Sequence, residues 1–348
     1  VALPLSELRR EEEAVERKLA SIQRVESIAP IAGADKIVKA RVMGWDVVVK
    51  KGELAAGDAC VFFEIDAILP NGPSWAEFMR VRGFRLKTMR LRGVLSQGLA
   101  LPVSILPEGT PIEIGRDVSS LLGVTKHEPV LPDTREIAGP FPTRVPKTDE
   151  IRLQSALAVL DEIRGQPFVI TTKLDGSSIT YLRESETDFV ACSRNWALAR
   201  SEGTSAWRVA NELGLERTLP VGLALQGELC GPGIQKNRLG LAKAGFFAFS
   251  AYDVRAARHL AHDALVALCH ELGVPTVPVE RRVEGDEAAR FEHSLERYLE
   301  LARGLYTGTN NRKEGIVVRP LEEARSEALG GRLSFKVISN EFLLEDED

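Results

Sequence analysis

The run Phe168-Val-Ile-Thr-Thr-Lys-Leu-Asp-Gly-Ser-Ser178 constrains this chain more than any other stretch. Its β-branched residues favour an extended strand, and Asp175-Gly176 imposes a tight turn directly after it. Lys173 is thereby fixed at a rigid strand end beside backbone N–H groups. A lysine held in this way can act as a nucleophile when its pKa is lowered, which a neighbouring cation or metal achieves by disfavouring the ammonium form. A solvated lysine beside a hairpin turn is the alternative, and the run alone does not choose between them.

The context lies downstream. Gln226-Gly-Glu-Leu-Cys-Gly-Pro-Gly-Ile-Gln235 places Glu228 at the end of an apolar run, before a glycine-rich turn where backbone can approach a ligand. Phe246-Phe-Ala-Phe-Ser-Ala-Tyr-Asp253 is a short aromatic strand ending in an acid. Lys313-Glu-Gly-Ile-Val-Val-Arg319 starts a strand with Glu314, and Leu333-Ser-Phe-Lys-Val-Ile338 carries Lys336 in another. Acid and base residues on four strands or strand ends, all following a candidate nucleophile, read as one pocket.

This ordered series resembles motifs I, III, IIIa, IV and V of the covalent nucleotidyltransferase superfamily of ATP-dependent ligases and capping enzymes, over about residues 140 to 345. Within it, Gly-Glu-x-x-Gly-Pro-Gly-Ile-Gln, Glu-Gly-Ile-Val-Val and Ser-Phe-Lys-Val-Ile-Ser look most like RNA ligases, specifically the bacterial nick-sealing RNA ligases of the Deinococcus type. Phe141-Pro-Thr-Arg-Val-Pro-Lys-Thr-Asp-Glu-Ile-Arg-Leu-Gln154 is similar to segments of bacterial RNA-repair ligases.

The resemblance implies an ATP-dependent enzyme that forms lysyl-AMP, passes AMP to an RNA or DNA 5′-phosphate, and joins it to a 3′-hydroxyl. Its substrate is expected to be RNA or an RNA-containing nicked duplex. Phosphoryl transfer is largely positioning and electrostatic stabilisation. Lys173 is accordingly the expected nucleophile and Lys336 the α-phosphate contact, while Glu314 is expected to engage Mg²⁺ or Mn²⁺, which prefer oxygen. Glu228 is expected to accept a hydrogen bond from the AMP ribose, and Tyr252 to stack on adenine. The backbone at Thr172, with Gly176, Arg194 and Asp253, falls where family members contact the nucleotide or the RNA end. One position departs from the pattern. Many superfamily members carry Lys-x-Lys in motif V where this chain has Ser334-Phe-Lys336, which leaves Arg332 as the candidate second cation. A capping-type or DNA-specific transferase, or an inactive nucleic-acid-binding homologue, are the alternatives.

The length of 348 residues suggests two domains, and 44% apolar content suffices for packed cores. An OB-like nucleic-acid-binding β-barrel is expected over 1–125, a Pro-rich linker over 126–147, and an α+β, ATP-grasp-like nucleotidyltransferase ligase domain over 148–348. In the first part, short strands are expected from Ser21 to Ser27, Lys36 to Val42, Asp46 to Lys50 and Ala59 to Ile65. Asp35-Lys36 and Met89-Arg-Leu-Arg-Gly-Val-Leu-Ser-Gln-Gly98 are similar to tRNA-binding OB-fold modules. In the second part, Ile151 to Ile163 reads as an amphipathic helix and Glu284 to Arg303 as a charged surface helix.

The net charge of −5 argues against indiscriminate coating of nucleic acid, although it leaves room for a local basic face. Arg80, Arg82, Arg85, Lys87, Arg90 and Arg92 crowd into thirteen residues with no acid among them. Strand alternation would put Arg85 and Lys87 on one face and Arg90 and Arg92 on the other, so a single phosphate track needs a bulge or turn near Thr88. A charged, solvated edge strand is the competing reading.

Other classes are excluded. No Gly-Lys dipeptide exists to build a Walker A loop, and the five histidines form no His-Glu-x-x-His pair. Cys60, Cys192, Cys230 and Cys269 are dispersed, as buried thiols rather than zinc ligands or a disulfide framework would be. No apolar stretch approaches twenty residues. Leu5 to Glu13 reads as a charged helix-like run rather than a signal peptide, so a cytoplasmic location is expected.

Overall fold

The computed structural model describes residues 18–127 and 136–345; the helix-like run Leu5 to Glu13, Pro129 and Pro132 lie outside them. The described chain forms two compact units, one built chiefly on 18–127 and the other on 136–342.

The first unit is an antiparallel sheet. Its strand order is Trp45–Lys50, Ile37–Val42, Ala20–Pro30, Ala59–Phe63 and Leu99–Pro102. Ala20–Pro30 changes partner halfway: Ala20 to Arg24 pair with Ala59–Phe63, and from Val25 onward, with an irregularity between Val25 and Ser27, the strand pairs with Ile37–Val42. Such a bulge bends and twists a sheet, which an OB-like barrel requires. Alternation then gives each face its own core. Ile22, Val61, Phe63 and Leu101 fill one, and Val38, Ala40, Val42, Trp45 and Val47 fill the other.

The basic segment is not one strand. Glu77–Arg82 is a 3₁₀ turn that stops at Gly83, whose φ of 61° is the left-handed conformation glycine adopts without strain. Only after it does Thr88–Leu91 pair with Val94–Gln97 as a hairpin. Buried Ala76 and Met79 anchor the turn, so the six cations are distributed over a turn, a loop and a hairpin instead of alternating along a single edge.

The second unit packs two sheets. A seven-stranded antiparallel sheet runs Ile137–Pro140, Trp196–Leu198, Phe189–Cys192, Ser177–Arg183, Leu223–Cys230, Gly245–Asp253 and Arg258–His259. A five-stranded sheet runs Ile151–Arg152, Phe335–Ile338, Gly315–Pro320, Phe168–Lys173 and Val279–Val283, with one parallel pairing at its Ile151–Arg152 edge. The first sheet buries its apolar face against the helices Ser205–Leu213 and His262–Leu272, and the second against Leu295–Leu301. Chain continuity joins the sheets at Leu174 to Gly176, since Phe168–Lys173 belongs to one and Ser177–Arg183 to the other.

Three expectations change here. Residues 137–140 of the Pro-rich segment are a sheet strand and Phe141 and Val145 are buried, so this half of 126–147 is structural rather than a free connector. Ile151 to Ile163 is a strand, a 3₁₀ turn and the short helix Val159–Glu162. Glu284 to Arg303 divides into Gly285–Arg290 and Leu295–Leu301, because Phe291 and His293 turn inward onto Phe168.

Candidate active site

Gly176 explains how the turn after Lys173 reaches the other sheet. A Cβ there would lie 2.4 Å from Leu229 O and 2.9 Å from Glu228 Cγ, so only glycine lets the two backbones approach this closely. Its N–H also bonds the Glu228 carboxylate. Lys173, at the end of its strand, is register-paired with Gly315, next to Glu314. The Lys173 Nζ donates to Glu314 Oε2 at 2.7 Å, with both side chains largely buried.

The carboxylates dominate the electrostatics. Burial works against the Lys173 ammonium, but Glu314, Glu228 and Asp175 outweigh it and hold its pKa above the usual lysine value. The lowered pKa expected from a neighbouring cation is therefore not what the residues around Lys173 produce by themselves. Burial, reinforced by Glu314 and Asp175 and opposed by Lys173, raises Glu228 to about 7. Lys336 behaves oppositely: burial, Lys173 and Arg152 bring it down to about 7. Lys336 pairs with Val317, which pairs in turn with Thr171, so Lys336 and Lys173 share one face of the five-stranded sheet. The same face continues through Val169, Thr171 and Arg319 into a cavity between the sheets, also lined by Phe249, Val277 and His262.

A buried tyrosine organises the turn. Tyr306 OH donates to Lys173 O at 3.1 Å and accepts from the backbone N–H groups of Asp175 and Glu314, both at 3.0 Å. One hydroxyl thus locks the candidate nucleophile, the turn and the candidate metal carboxylate together. Asp175 is also paired with the buried Arg238, Nε to Oδ2, at 3.2 Å.

The structure brings Lys173, Gly176, Glu228, Glu314 and Lys336 together. It separates others. The Thr172 backbone N–H donates to Pro278 O at 2.8 Å, and its hydroxyl points to the opposite face and donates to Glu280 at 3.0 Å. Arg194 Nε bonds Asp149 at 3.1 Å, and the Asp149 charge reaches Lys336. Tyr252 pairs with Ala224, four residues or about 13 Å along the strand from Glu228, and its ring packs edge-on against His259. Asp253 Oδ1 accepts from Arg255 N and Ala256 N, closing a local turn. The aromatic rings packed with Leu174 and Tyr306 are instead Phe247 and Phe249. Arg332 pairs with Glu323 and donates to Ser250, so it is not the second cation beside Lys173. That place near Lys336 is held by Arg152, its parallel-strand partner. Sequence reasoning missed Tyr306, Arg152 and the two phenylalanines; the Phe-x-Phe spacing was the available signal for the latter, since residues two apart face the same way in a strand.

A divalent cation suits this cluster in charge and donor type. Three carboxylates, Glu314, Glu228 and Asp175, act on one lysine, and oxygen donors match Mg²⁺ or Mn²⁺. Among the described residues no group of three or more His, Cys, Asp or Glu side chains is arranged to hold an ion by itself, so water and phosphate oxygens would complete the shell.

The chain is similar to known RNA ligases. The RNA ligase family model matches residues 166–338, and an OB-fold domain model matches 19–103. A solved structure of a Naegleria gruberi RNA ligase lysine-to-alanine variant with ATP and Mn is 36% identical, with a TM-score of 0.81 over 94% of this chain and 98% of that one. The same enzyme with PPi is also 36% identical, with a TM-score of 0.81 over 95% and 99% of the two chains. This chain belongs to the RNA ligase family. The ligase is accordingly an enzyme built from an OB-like domain followed by an α+β catalytic domain. These matches support an RNA ligase of the covalent nucleotidyltransferase superfamily and do not single out the bacterial Deinococcus type. No curated protein matches the chain. Among the described residues no helix is long and apolar enough to cross a membrane.

Proposed function

We propose that the ligase uses ATP to adenylylate Lys173 and then seals nicks in duplexes carrying RNA on the 3′-hydroxyl side. The observation that carries the reading is the Lys173–Glu314 pair at 2.7 Å where the chain crosses between sheets, with Lys336 on the same sheet face. In the first step the Lys173 Nζ–Pα bond forms and the bond from Pα to the bridging oxygen of pyrophosphate breaks. Nζ must shed a proton beforehand, and Glu314 Oε2 is within hydrogen-bond reach to hold it. Lys336 would neutralise charge on the α-phosphate, aided by Arg152. A bound divalent cation would supply further positive charge at the phosphates. Glu228, which anchors Gly176, would accept from a ribose hydroxyl. Phe247 and Phe249 are better candidates than Tyr252 for the wall against adenine, because they pack on the Lys173 turn.

Nucleic-acid contact is assigned to the first unit. Arg80, Arg82, Lys87, Arg90 and Arg92 are exposed and Arg85 half-buried, beside Phe78 and Val81, which are 55% and 90% exposed. Cations flanking an exposed apolar tip suit phosphates flanking sugars and bases. A panel of nicked duplexes differing only in RNA or DNA on the 3′-hydroxyl side tests the reading. The parent is expected to seal the RNA-containing nick after labelling with α-labelled ATP, and Lys173→Ala to do neither. Equal sealing of all-DNA nicks would refute the substrate assignment, and labelled Lys173→Ala would refute the nucleophile.

A further inference from the structure

Beyond the carboxylate cluster, the same face of the five-stranded sheet holds a buried ion pair that the proposed reaction does not use. Arg319 donates through Nη2 to Glu150 Oε1 at 2.6 Å, through Nε to Ser334 Oγ at 2.9 Å, and through Nη1 to Phe249 O at 2.6 Å. Its guanidinium also lies 5.6 Å from the centroid of the Phe249 ring. Ser334, only 4% exposed, bonds Glu150 in turn. Each nitrogen of the guanidinium is thus committed to a protein acceptor, which suits a group that holds the protein in place rather than a ligand.

What it holds is specific. Ser334 is two residues before Lys336, and Glu150 is two residues before Arg152. Each anchor lies one residue ahead of its strand and meets Arg319, which is on the Lys336 face, so the anchors gather beside the cations that follow them. Lys336 and Arg152 are direct partners in the parallel pairing at the sheet edge. Arg319 therefore ties together the roots of both cations, and through Phe249 O it ties them to the opposite sheet. A lysine at 334 would bring a second cation against a buried guanidinium and remove the acceptor for Arg319 Nε.

We propose that Arg319 is a positioning residue that sets Lys336 and Arg152 side by side, and that serine stands at 334, where many superfamily members carry a lysine, because Arg319 requires an acceptor there. The proposal rests on the reading of Lys173 as the AMP acceptor and Lys336 as the phosphate contact. It opposes the simpler view that position 334 has merely lost a catalytic lysine, and the two views predict opposite results.

The test measures lysyl-AMP formation by the full-length protein at saturating ATP, together with thermal melting, in the parent, Ser334→Lys, Ser334→Ala and Ser334→Thr. Restoring the missing lysine would speed the reaction if that lysine were simply absent. Positioning by Arg319 predicts that Ser334→Lys slows it about tenfold or more, that Ser334→Ala slows it several-fold, and that Ser334→Thr, which keeps the hydroxyl, stays near the parent. The Ala and Thr variants decide the matter if the lysine variant does not fold, and comparable melting of those two separates positioning from general instability. A Ser334→Lys enzyme as fast as the parent or faster would overturn the proposal. So would Ser334→Ala with the parental rate. A parent that forms no lysyl-AMP would overturn the underlying reading and this proposal with it, whereas an active parent with indifferent variants would overturn the proposal alone.

Discussion

Tyr306 does more for the site than its place outside every motif suggests. Its hydroxyl accepts from two backbone N–H groups and donates to one carbonyl within a buried setting, so Tyr306→Phe would leave those N–H groups without their acceptor. An unsatisfied buried donor costs about 1–3 kcal/mol. The variant should lose roughly 2–4 kcal/mol of stability in denaturant unfolding and adenylylate more slowly, because both Lys173 and Glu314 lose their common tether. Unchanged stability and rate would show that the hydroxyl is incidental.

Glu228 supplies a pH test at the same scale. Its folded pKa is raised to about 7, chiefly by burial, so between the ordinary carboxylate range and about 7 the folded state binds the proton more tightly than the unfolded chain. Stability from this group is fully present at low pH and is lost as pH rises through about 7. Glu228→Gln removes the titration. The variant should match the parent near pH 4 and be more stable by roughly 1–3 kcal/mol at pH 8, read from melting of ligand-free protein across that range. A parent and variant with parallel pH curves would contradict the buried, charge-crowded setting assigned to Glu228.

At the scale of elements, the site depends on a crossing between sheets that tolerates no side chain. Gly176→Ala would push a methyl to within 2.4 Å of Leu229 O, a backbone atom that cannot rotate away. The expected outcome is protein that folds poorly or folds with the Lys173 turn displaced and lysyl-AMP formation abolished; normal labelling would show that the strands can part. This crossing was only half legible in sequence. The β-branched run and the Asp-Gly turn announced a strand end, but a tight turn equally suits an ordinary hairpin within one sheet. The first unit was easier, because Ile37–Val42 is half-buried and its inward and outward residues alternate strictly. Ile151 to Ile163 misled for the opposite reason: Val159 and Ile163 are buried four residues apart, a spacing a longer helix also produces, while the backbone is a strand, a turn and one short helix. Tyr306, Arg152 and Arg319 were illegible as site residues since their roles arise from backbone atoms and strand neighbours far away in the chain.

For the whole molecule, the two units divide the work by hypothesis: chemistry in one and duplex contact in the other. Arg90 and Arg92 are exposed near the tip of the hairpin formed by Thr88–Leu91 and Val94–Gln97, so reversing both to glutamate should leave the fold of the sheet intact. Every phosphate that a variant no longer neutralises lowers the salt dependence of binding by about one counterion. The double variant should bind nicked duplex more weakly, with the log–log salt slope reduced by about 1–2, and still form lysyl-AMP at the parental rate. An unchanged slope would place the duplex elsewhere.

The most direct measurement of the central claim is peptide mapping of the protein after incubation with ATP and Mg²⁺ or Mn²⁺. The arrangement of Lys173, Glu314, Glu228 and Lys336 predicts one AMP per chain, on the peptide carrying Lys173, through an acid-labile and alkali-stable bond that Glu314→Ala largely suppresses. AMP on Lys336 or any other lysine, or no covalent AMP from a folded and metal-supplied enzyme, would contradict it.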